Sequence, residues 1–131
     1  MTFTFSMAGR LESLNTTERD QRNPYYRFYA ARKRKSIKRH IAQWILYSRV
    51  PKFKGPVRIH IHWVEQDRRR DLDNIRAGSK VLLDTLVKMD RIKNDSQKWV
   101  VELTDSYQVD KANPRVEVTI SDCESIKTTP I

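Results

Sequence analysis

The sequence predicts an α/β (α+β) fold in which helices pack on a mixed sheet of about four strands. Two segments repeat apolar residues with a helical period, and residues 57–65 alternate apolar and polar side chains. Most predicted elements carry one apolar face, and helices layered on a sheet are the simplest way to bury such faces. The length of 131 residues predicts a single domain over residues 1–122, followed by a loose tail over residues 123–131.

The predicted elements follow in the order strand, helix, strand, helix, strand, strand. Their expected bounds are residues 2–7, 25–49, 57–65, 71–89, 99–103 and 115–120. The polar stretch between the first strand and the first helix, over residues 9–24, is rich in turn formers and predicts a loop. Pro51 and Gly55 are expected to stop the first helix.

Each amphipathic element has an apolar side that can be assigned from its period. The side of the first helix that should face the core carries Tyr26, Ala30, Ile37, Ile41, Trp44 and Ser48. In the second strand the core face carries Val57, Ile59, Ile61 and Trp63. In the second helix the more apolar stripe is Ile75, Ser79, Leu82 and Leu86.

Positive charge is concentrated in one part of the chain. The formal net charge is +10, and no Asp or Glu occurs between Asp20 and Glu65, where twelve Lys or Arg residues occur. Arg32, Lys35 and Arg39 lie opposite the apolar side of the first helix, with Lys38 beside them. Such a face is suited to a phosphate backbone, since each neutralised phosphate releases counterions. A merely solvated face is the alternative, but solvated faces usually mix both signs of charge.

Four aromatic residues at the start of the first helix have two interpretations. Tyr25, Tyr26, Phe28 and Tyr29 are suited to stacking on exposed bases. Packing in the core is the alternative, and it is favoured for Tyr26 and Tyr29.

The chain has no sequence feature of a secreted or membrane protein. Cys123 is the only cysteine, so no intramolecular disulfide can form, and a reducing compartment fits best. The first ten residues have no pattern of a secretory signal, and no apolar run is long enough to cross a bilayer. A soluble cytoplasmic protein without membrane association is therefore expected.

The segment Arg68-Arg69-Arg70-Asp71-Leu72-Asp73-Asn74 is the most informative part of the sequence. In an extended turn, Asp71 and Asp73 point the same way, and two adjacent carboxylates repel unless a cation lies between them. Mg²⁺ is a natural occupant, and the neighbouring arginines would hold a phosphate. Helix capping by aspartate is the alternative interpretation, and the two are compatible.

Four other residues are candidate partners of this segment: Lys80, Asp84, His60 and His62. On a continuous helix Lys80 shares the side of Asp73, about 10 Å along the axis, and its side chain leans back toward the site. A solvated surface lysine is the alternative. Asp84 lies too far along to share a metal with Asp73 and is interpreted as structural. His60 and His62 share a strand face but have no third ligand with suitable spacing, so a zinc site is not expected.

Three blocks in order resemble the RusA family of Holliday-junction resolvases, most closely its phage and prophage branch. The blocks are Arg-Arg-Asp-Leu-Asp-Asn at residues 69–74, Leu-Asp-Thr-Leu at residues 83–86 and Lys-Asn-Asp at residues 93–95. Ser13-Leu14-Asn15 is similar to the early loop of the family, and residues 109–118 to its closing strand. The resemblance extends to about Asp122. It implies a homodimer with a mixed sheet that cleaves four-way DNA junctions with Mg²⁺, with Mn²⁺ as an alternative metal.

The resemblance also assigns roles to individual residues. Asp71, Asp73 and Asp95 match the metal-binding and catalytic aspartates, and Lys80 matches the catalytic helix lysine when the helix is counted back from Asp84. Counted forward from Asp73, Ala77 occupies that place instead. Asn94 departs from the family, which often has a second aspartate there. DNA contacts are expected from the loop asparagine and the basic residues: Asn15, Arg32, Lys35, Lys38, Arg39, Arg68, Arg69 and Arg70.

Two main functions therefore remain open at the level of sequence. The first is a structure-selective, metal-dependent endonuclease that resolves Holliday junctions and related branched DNA by phosphodiester hydrolysis. The second is a non-catalytic DNA-binding protein of the same fold. Three convergent carboxylates favour the first, because without a metal they would repel phosphate. A metal-dependent ribonuclease is a third and weaker interpretation.

Overall fold

The computed structural model describes residues 1–11 and 23–123, apart from the side chain of Tyr26. Seven elements occur in it: β1 (Thr2–Ala8), α1 (Pro24–Tyr47), β2 (Val57–Glu65), α2 (Leu72–Arg76), α3 (Gly78–Lys88), β3 (Val100–Val109) and β4 (Arg115–Asp122). The four strands form one mixed sheet in the order β1-β4-β2-β3. The predicted α+β fold with a mixed four-stranded sheet is confirmed.

The direction of the strands determines which loops meet at each edge of the sheet. β4 is antiparallel to both β1 and β2, with Val118 beside Phe5 on one side and beside Ile61 on the other. β3 is parallel to β2, with Asp105 beside Ile61. β1, β2 and β3 therefore run the same way, and their last residues lie at one edge of the sheet.

One face of the sheet is covered by α1 and α3, and this is where the core lies. The predicted core face of β2, Val57, Ile59, Ile61 and Trp63, is buried. It packs with the buried side chains of the helices and of the other strands: Phe5, Met7, Ile41, Ile45, Val81, Leu82, Leu86, Val116, Val118 and Ile120.

The opposite face of the sheet is polar. The ring nitrogens of His60 hydrogen-bond to Thr104 and Ser106 at 2.6 and 2.8 Å, and those of His62 to Ser106 and Gln108 at 2.6 and 2.8 Å. Each histidine is thus part of a cross-strand hydrogen-bond ladder.

The first helix begins and ends through local caps. The Asn23 side chain accepts a hydrogen bond from the Tyr25 N–H at 2.9 Å, and Pro24 occupies the first turn, where its missing N–H has no cost. The helix ends at Tyr47, before Pro51, because Arg49 adopts a left-handed conformation and the Val50 N–H bonds back to the Ile45 carbonyl. Proline is therefore not the residue that stops it.

The single helix expected over residues 71–89 is instead two helices that meet at Ala77. The second one, α3, begins at Gly78, which is buried against Leu11 and Trp63. A Cβ atom at Gly78 would lie 3.1 Å from the Leu11 side chain and 3.3 Å from that of Trp63, so glycine permits this close approach. The sequence signal for the break was Gly78 itself.

A half-buried carboxylate on β3 fixes α2 to the sheet. Asp105 accepts a hydrogen bond from the indole N–H of Trp63 at 2.8 Å and forms an ion pair with Arg76 at 3.2 Å. Its side chain is only 10% exposed, whereas that of Arg76 is 55% exposed. Asp105 therefore supplies the acceptor that the buried Trp63 needs and also holds the last residue of α2.

Asp105→Ala should lower the free energy of unfolding by about 1–3 kcal/mol, because it leaves the buried indole N–H without an acceptor. Asp105→Asn should cost less, since the amide oxygen still accepts that hydrogen bond. Urea unfolding followed by tryptophan fluorescence measures both. Glu102→Ala is the matched control, because Glu102 lies on the polar face of the same strand in an exposed pair with Arg58. An Asp105→Ala protein as stable as the Glu102→Ala control would contradict this role.

Candidate active site and nucleic-acid interface

The acidic segment lies at the edge where β2 ends. Asp71 is the N-cap residue of α2, in an extended conformation, but its side chain makes no capping hydrogen bond. Asp73 lies in the first turn of α2. Both residues are exposed, and neither carboxylate has a hydrogen bond or ion pair with another residue of the described ranges. The capping interpretation of Asp71 is therefore wrong for its side chain, and both carboxylates face solvent.

A buried ion pair fixes the start of this segment. Glu65 is 5% exposed, and its carboxylate lies 3.1 Å from the Arg70 guanidinium and 4.0 Å from that of Arg10. Arg70 also donates to the Asn74 carbonyl at 3.0 Å. Arg70 thus bridges the end of β2 and the start of α2, and its guanidinium is bound to these two protein oxygens.

The other two arginines of the segment are exposed. Arg69 forms only a loose pair with Asp67, at 3.9 Å, and its side chain is 90% exposed. Arg68 lines a hollow of about 280 Å³ together with Leu72 of α2 and Tyr107 and Val109 of β3. The exposed cations that precede Asp71 and Asp73 in this segment are therefore Arg68 and Arg69.

Tyr107 connects the acidic segment to β3. Its pKa is raised, first by burial and then by the negative charge of Asp105, with a smaller contribution from Asp73, while Arg76 acts in the opposite direction.

Asp95 lies in another part of the molecule. Its loop is fixed at both ends near the start of β2, where the Arg91 carbonyl accepts from the Phe53 N–H and the Trp99 carbonyl accepts from the Val57 N–H, both at 2.8 Å. β2 has nine residues, so its two ends are roughly 26 Å apart. Within the described ranges no three His, Cys, Asp or Glu residues lie close enough to hold a metal. One chain does not bring Asp95 to Asp71 and Asp73.

Lys80 lies exposed on α3, beyond the break at Ala77. The distance expected from a single continuous helix therefore does not apply to it. Ala77, the other candidate for the lysine position, is half-buried and uncharged. Asp84 forms a pair with Lys38 of α1 at 4.0 Å, in agreement with a structural role.

The predicted basic face of α1 is largely exposed. Arg32, Lys35 and Arg39 are exposed, whereas Lys38 is half-buried beside Asp84. Burial, followed by the nearby positive charge of Lys88, lowers the pKa of Lys38. Lys38 is therefore less suited to phosphate than its three neighbours. Asn15, the remaining predicted DNA contact, lies outside the described residues.

Two site features were missed in the sequence although it contains a signal for each. Glu65 continues the alternation Val57, Ile59, Ile61, Trp63, so a buried carboxylate with a cationic partner was predictable. Asp105 was missed because the third strand was expected to end at Leu103, whereas β3 extends to Val109.

Comparisons with known proteins agree with the resemblance in the motifs. Residues 13–121 match the family described as Endodeoxyribonuclease RusA, which is most of the chain. No curated protein matches the sequence significantly. None of the described helices has the length and apolar character needed to span a membrane. The chain belongs to the RusA family of endodeoxyribonucleases.

Proposed function

We propose that this chain is a divalent-metal-dependent endonuclease that resolves Holliday junctions and related branched DNA. The observation that carries the proposal is the pair of exposed carboxylates, Asp71 and Asp73, at the edge where β2 ends. The membership of the chain in a family of endodeoxyribonucleases supports the nuclease assignment. A pure DNA-binding protein would gain nothing from two unpaired carboxylates beside its phosphate-binding arginines, because they repel phosphate.

The two carboxylates fit a hard divalent cation. Oxygen ligands are those that Mg²⁺ prefers, and Mg²⁺ commonly uses one or two carboxylates and retains several waters, so Asp71 and Asp73 would hold Mg²⁺ or Mn²⁺. Such a cation lowers the pKa of a bound water and polarises a phosphoryl oxygen. The carboxylates are free for this role because neither is engaged by another described residue.

The surrounding cations have separate tasks. Arg68 and Arg69 bind the phosphates that flank the scissile bond, since both are exposed next to the acidic pair. Lys80 stabilises the negative charge that develops on the phosphoryl oxygens in the transition state. Arg70 positions the segment through Glu65 and Asn74 and does not touch DNA.

We further propose that the protein acts as a homodimer and that Asp95 serves the site of the partner subunit. A four-way junction requires two opposed cuts, and a two-fold dimer supplies them by symmetry. Within one chain Asp95 lies near the start of β2, far from the acidic pair. A second copy is therefore the natural source of the third carboxylate.

β3 is the surface on which the second copy fits. It is an edge strand of ten residues, and within residues 1–11 and 23–123 one of its two backbone sides has no neighbouring strand. On the core-facing side it exposes Val101, Leu103, Tyr107 and Val109, each between 38% and 44% exposed. Long apolar edge strands are templates for pairing with another strand.

The geometry of such pairing brings the two halves of the site together. When two copies of β3 pair about a two-fold axis they run antiparallel, so the start of one lies beside the end of the other. Asp95 precedes the start of β3, whereas Tyr107 and Val109 at its end line a hollow together with Leu72, which lies between Asp71 and Asp73 in the sequence. Pairing near Thr104 therefore carries Asp95 of each subunit toward the acidic pair of the other.

Asp73→Asn should abolish junction cleavage while junction binding stays equal or tightens, because the change removes one repulsive charge and keeps the shape. Lys80→Ala should slow the chemical step by about a hundredfold or more and weaken binding much less. Single-turnover cleavage of a synthetic four-way junction, with Mg²⁺ or with EDTA, separates the two effects. Lys88→Ala on the same helix is the control. Cleavage by Asp73→Asn at the parent rate would refute the metal site, and binding without any cleavage by the parent protein would favour a non-catalytic DNA-binding protein.

A mixture of Asp73→Asn and Asp95→Asn chains should regain activity that neither variant has alone. In a mixed dimer one site combines the intact Asp71 and Asp73 of one subunit with the intact Asp95 of the other. Random exchange makes about half of the dimers mixed, each with one complete site, so about a quarter of the parent nicking rate is expected, on one strand only. If the three aspartates acted within one chain, the mixture would stay inactive.

Leu103→Lys should weaken the dimer in sedimentation, whereas Leu46→Lys, at an exposed leucine of α1, should not.

Neutralising Lys35 and Arg39 together with alanine should weaken DNA binding and flatten its salt dependence. Loss of two phosphate contacts lowers the slope of log affinity against log salt by about 1.8. Fluorescence anisotropy at several salt concentrations measures the slope. Lys52→Ala with Lys54→Ala removes the same charge from exposed residues beyond the other end of α1 and should leave the slope nearly unchanged. If the salt slopes of both double variants equalled that of the parent protein, the α1 face would be only a solvated surface.

A further inference from the structure

The first half of α1 extends beyond the edge of the sheet. Its first fully buried described residue is Ile41, and a hollow beside Gly9 and Arg10 is lined by Lys33 and His40 of the helix. α1 therefore passes the end of β1 at about residues 33–40. The nine residues from Pro24 to Arg32 lie beyond it and span roughly 12 Å along the axis. We call residues 24–32 the arm.

The arm carries an aromatic stripe that faces solvent. Tyr25, Phe28 and Tyr29 are 70%, 64% and 56% exposed. Their spacing of three and four residues places them on one side of the helix, and Arg32 follows one turn later on the same side. The expectation that Tyr29 packs in the core is therefore wrong. A stripe with this spacing is normally buried, and three exposed aromatic rings in a row indicate a binding surface.

The charges around the stripe select the class of partner. Residues 23–64 contain no Asp or Glu, so the arm and the rest of α1 have only positive charges. The Arg32 guanidinium lies 5.8 Å from the ring centre of Phe28, and the Lys33 ammonium lies 5.9 Å from that of Tyr29. Lys35 and Arg39 continue the exposed side that carries Phe28 and Arg32. A second copy of this surface would be repelled, whereas a polyanion that also has flat apolar rings matches both features.

The arm and the acidic pair lie at the same edge of the molecule. β1 and β2 run in the same direction, and α1 passes the end of β1 while Asp71 and Asp73 follow the end of β2. The Arg10 guanidinium, just after β1, lies 4.0 Å from the Glu65 carboxylate at the end of β2. One DNA molecule therefore reaches both features.

We propose that Tyr25, Phe28 and Tyr29 stack on bases that have lost their neighbours at the branch point of the junction, while Arg32, Lys35 and Arg39 bind the adjoining phosphates. This inference rests on the proposed function and adds the element that recognises the branch. Bases inside a continuous duplex are stacked on each other and offer no free face, whereas a branch point interrupts the stack. The stripe therefore strengthens binding to branched DNA and not to linear duplex.

The test replaces Phe28 and Tyr29 by leucine in one protein, which keeps exposed apolar side chains but removes the rings. Affinity is measured in EDTA for a four-way junction and for a linear duplex of the same sequence and length. Junction affinity should fall about tenfold or more, and duplex affinity and the salt slope should stay unchanged because no charge is removed. A 2-aminopurine at the branch point should show a fluorescence change on binding of the parent protein that the double variant lacks. Tyr47→Leu, at an exposed tyrosine at the other end of α1, is the matched control.

Tryptophan at both positions should restore junction affinity and the fluorescence change, because it keeps a stacking ring. An equal loss of affinity for both DNAs, or none for either, would overturn the stacking role. A loss of self-association in the DNA-free protein would assign the stripe to a protein contact instead. A parent protein that binds the junction no better than the duplex would overturn the proposed function together with this inference. A parent that prefers the junction, with an unchanged preference in the double variant, would overturn the inference alone.

Discussion

The ion pair between Glu65 and Arg70 holds the acidic segment in place. A carboxylate buried at the end of the central strand is costly unless cations and hydrogen bonds compensate it, and Arg70 with Arg10 provides that compensation. Arg70 also donates a hydrogen bond to the Asn74 carbonyl, so its side chain links the two ends of the segment that contains Asp71 and Asp73. Asp105 fixes the other end of α2 through Arg76. Asp71 and Asp73 can thus stay exposed on a short segment, because the nearly buried carboxylates of Glu65 and Asp105 fix its two ends.

The same arrangement explains why the three arginines in a row do not share one role. Alternation at the end of β2 directs Glu65 into the core, and of the three consecutive arginines Arg70 is the one paired with it. Arg68 and Arg69 are left at the surface beside the aspartates. An exposed acidic pair beside exposed cations in one short segment supports the proposal that the segment binds a divalent metal and a phosphate together.

Much of the fold and part of the site were predictable from the sequence. Apolar and polar side chains alternate clearly in β2, because one face of the strand is buried and the other is polar. The predicted core face from Val57 to Trp63 is confirmed. The break at Ala77 was not predicted, because the apolar period continues through it, and Gly78, its one sequence signal, does not by itself report the close approach of Leu11. The local motif identified Asp71 and Asp73, but the separation of Asp95 depends on β3 being parallel to β2, which no local pattern reports. The exposure of Tyr29 likewise depends on where the sheet ends relative to α1.

The net charge of the chain affects both proposed binding surfaces, the edge strand β3 and the basic side of α1. A chain with a net charge of +10 opposes its own dimerisation, since two copies repel at the low salt at which phosphate contacts are strongest. β3 reduces this repulsion locally, because its charged side chains are the acidic Glu102 and Asp105, each paired with one arginine. In the proposed complex, DNA would remove most of the remaining repulsion by neutralising α1 and the exposed arginines of both subunits. By linkage, DNA that binds the dimer more tightly than the monomer stabilises the dimer by the same free energy. In the proposed dimer, assembly of the complete site would therefore be favoured on the DNA, because junction binding and the pairing of two β3 strands would stabilise each other.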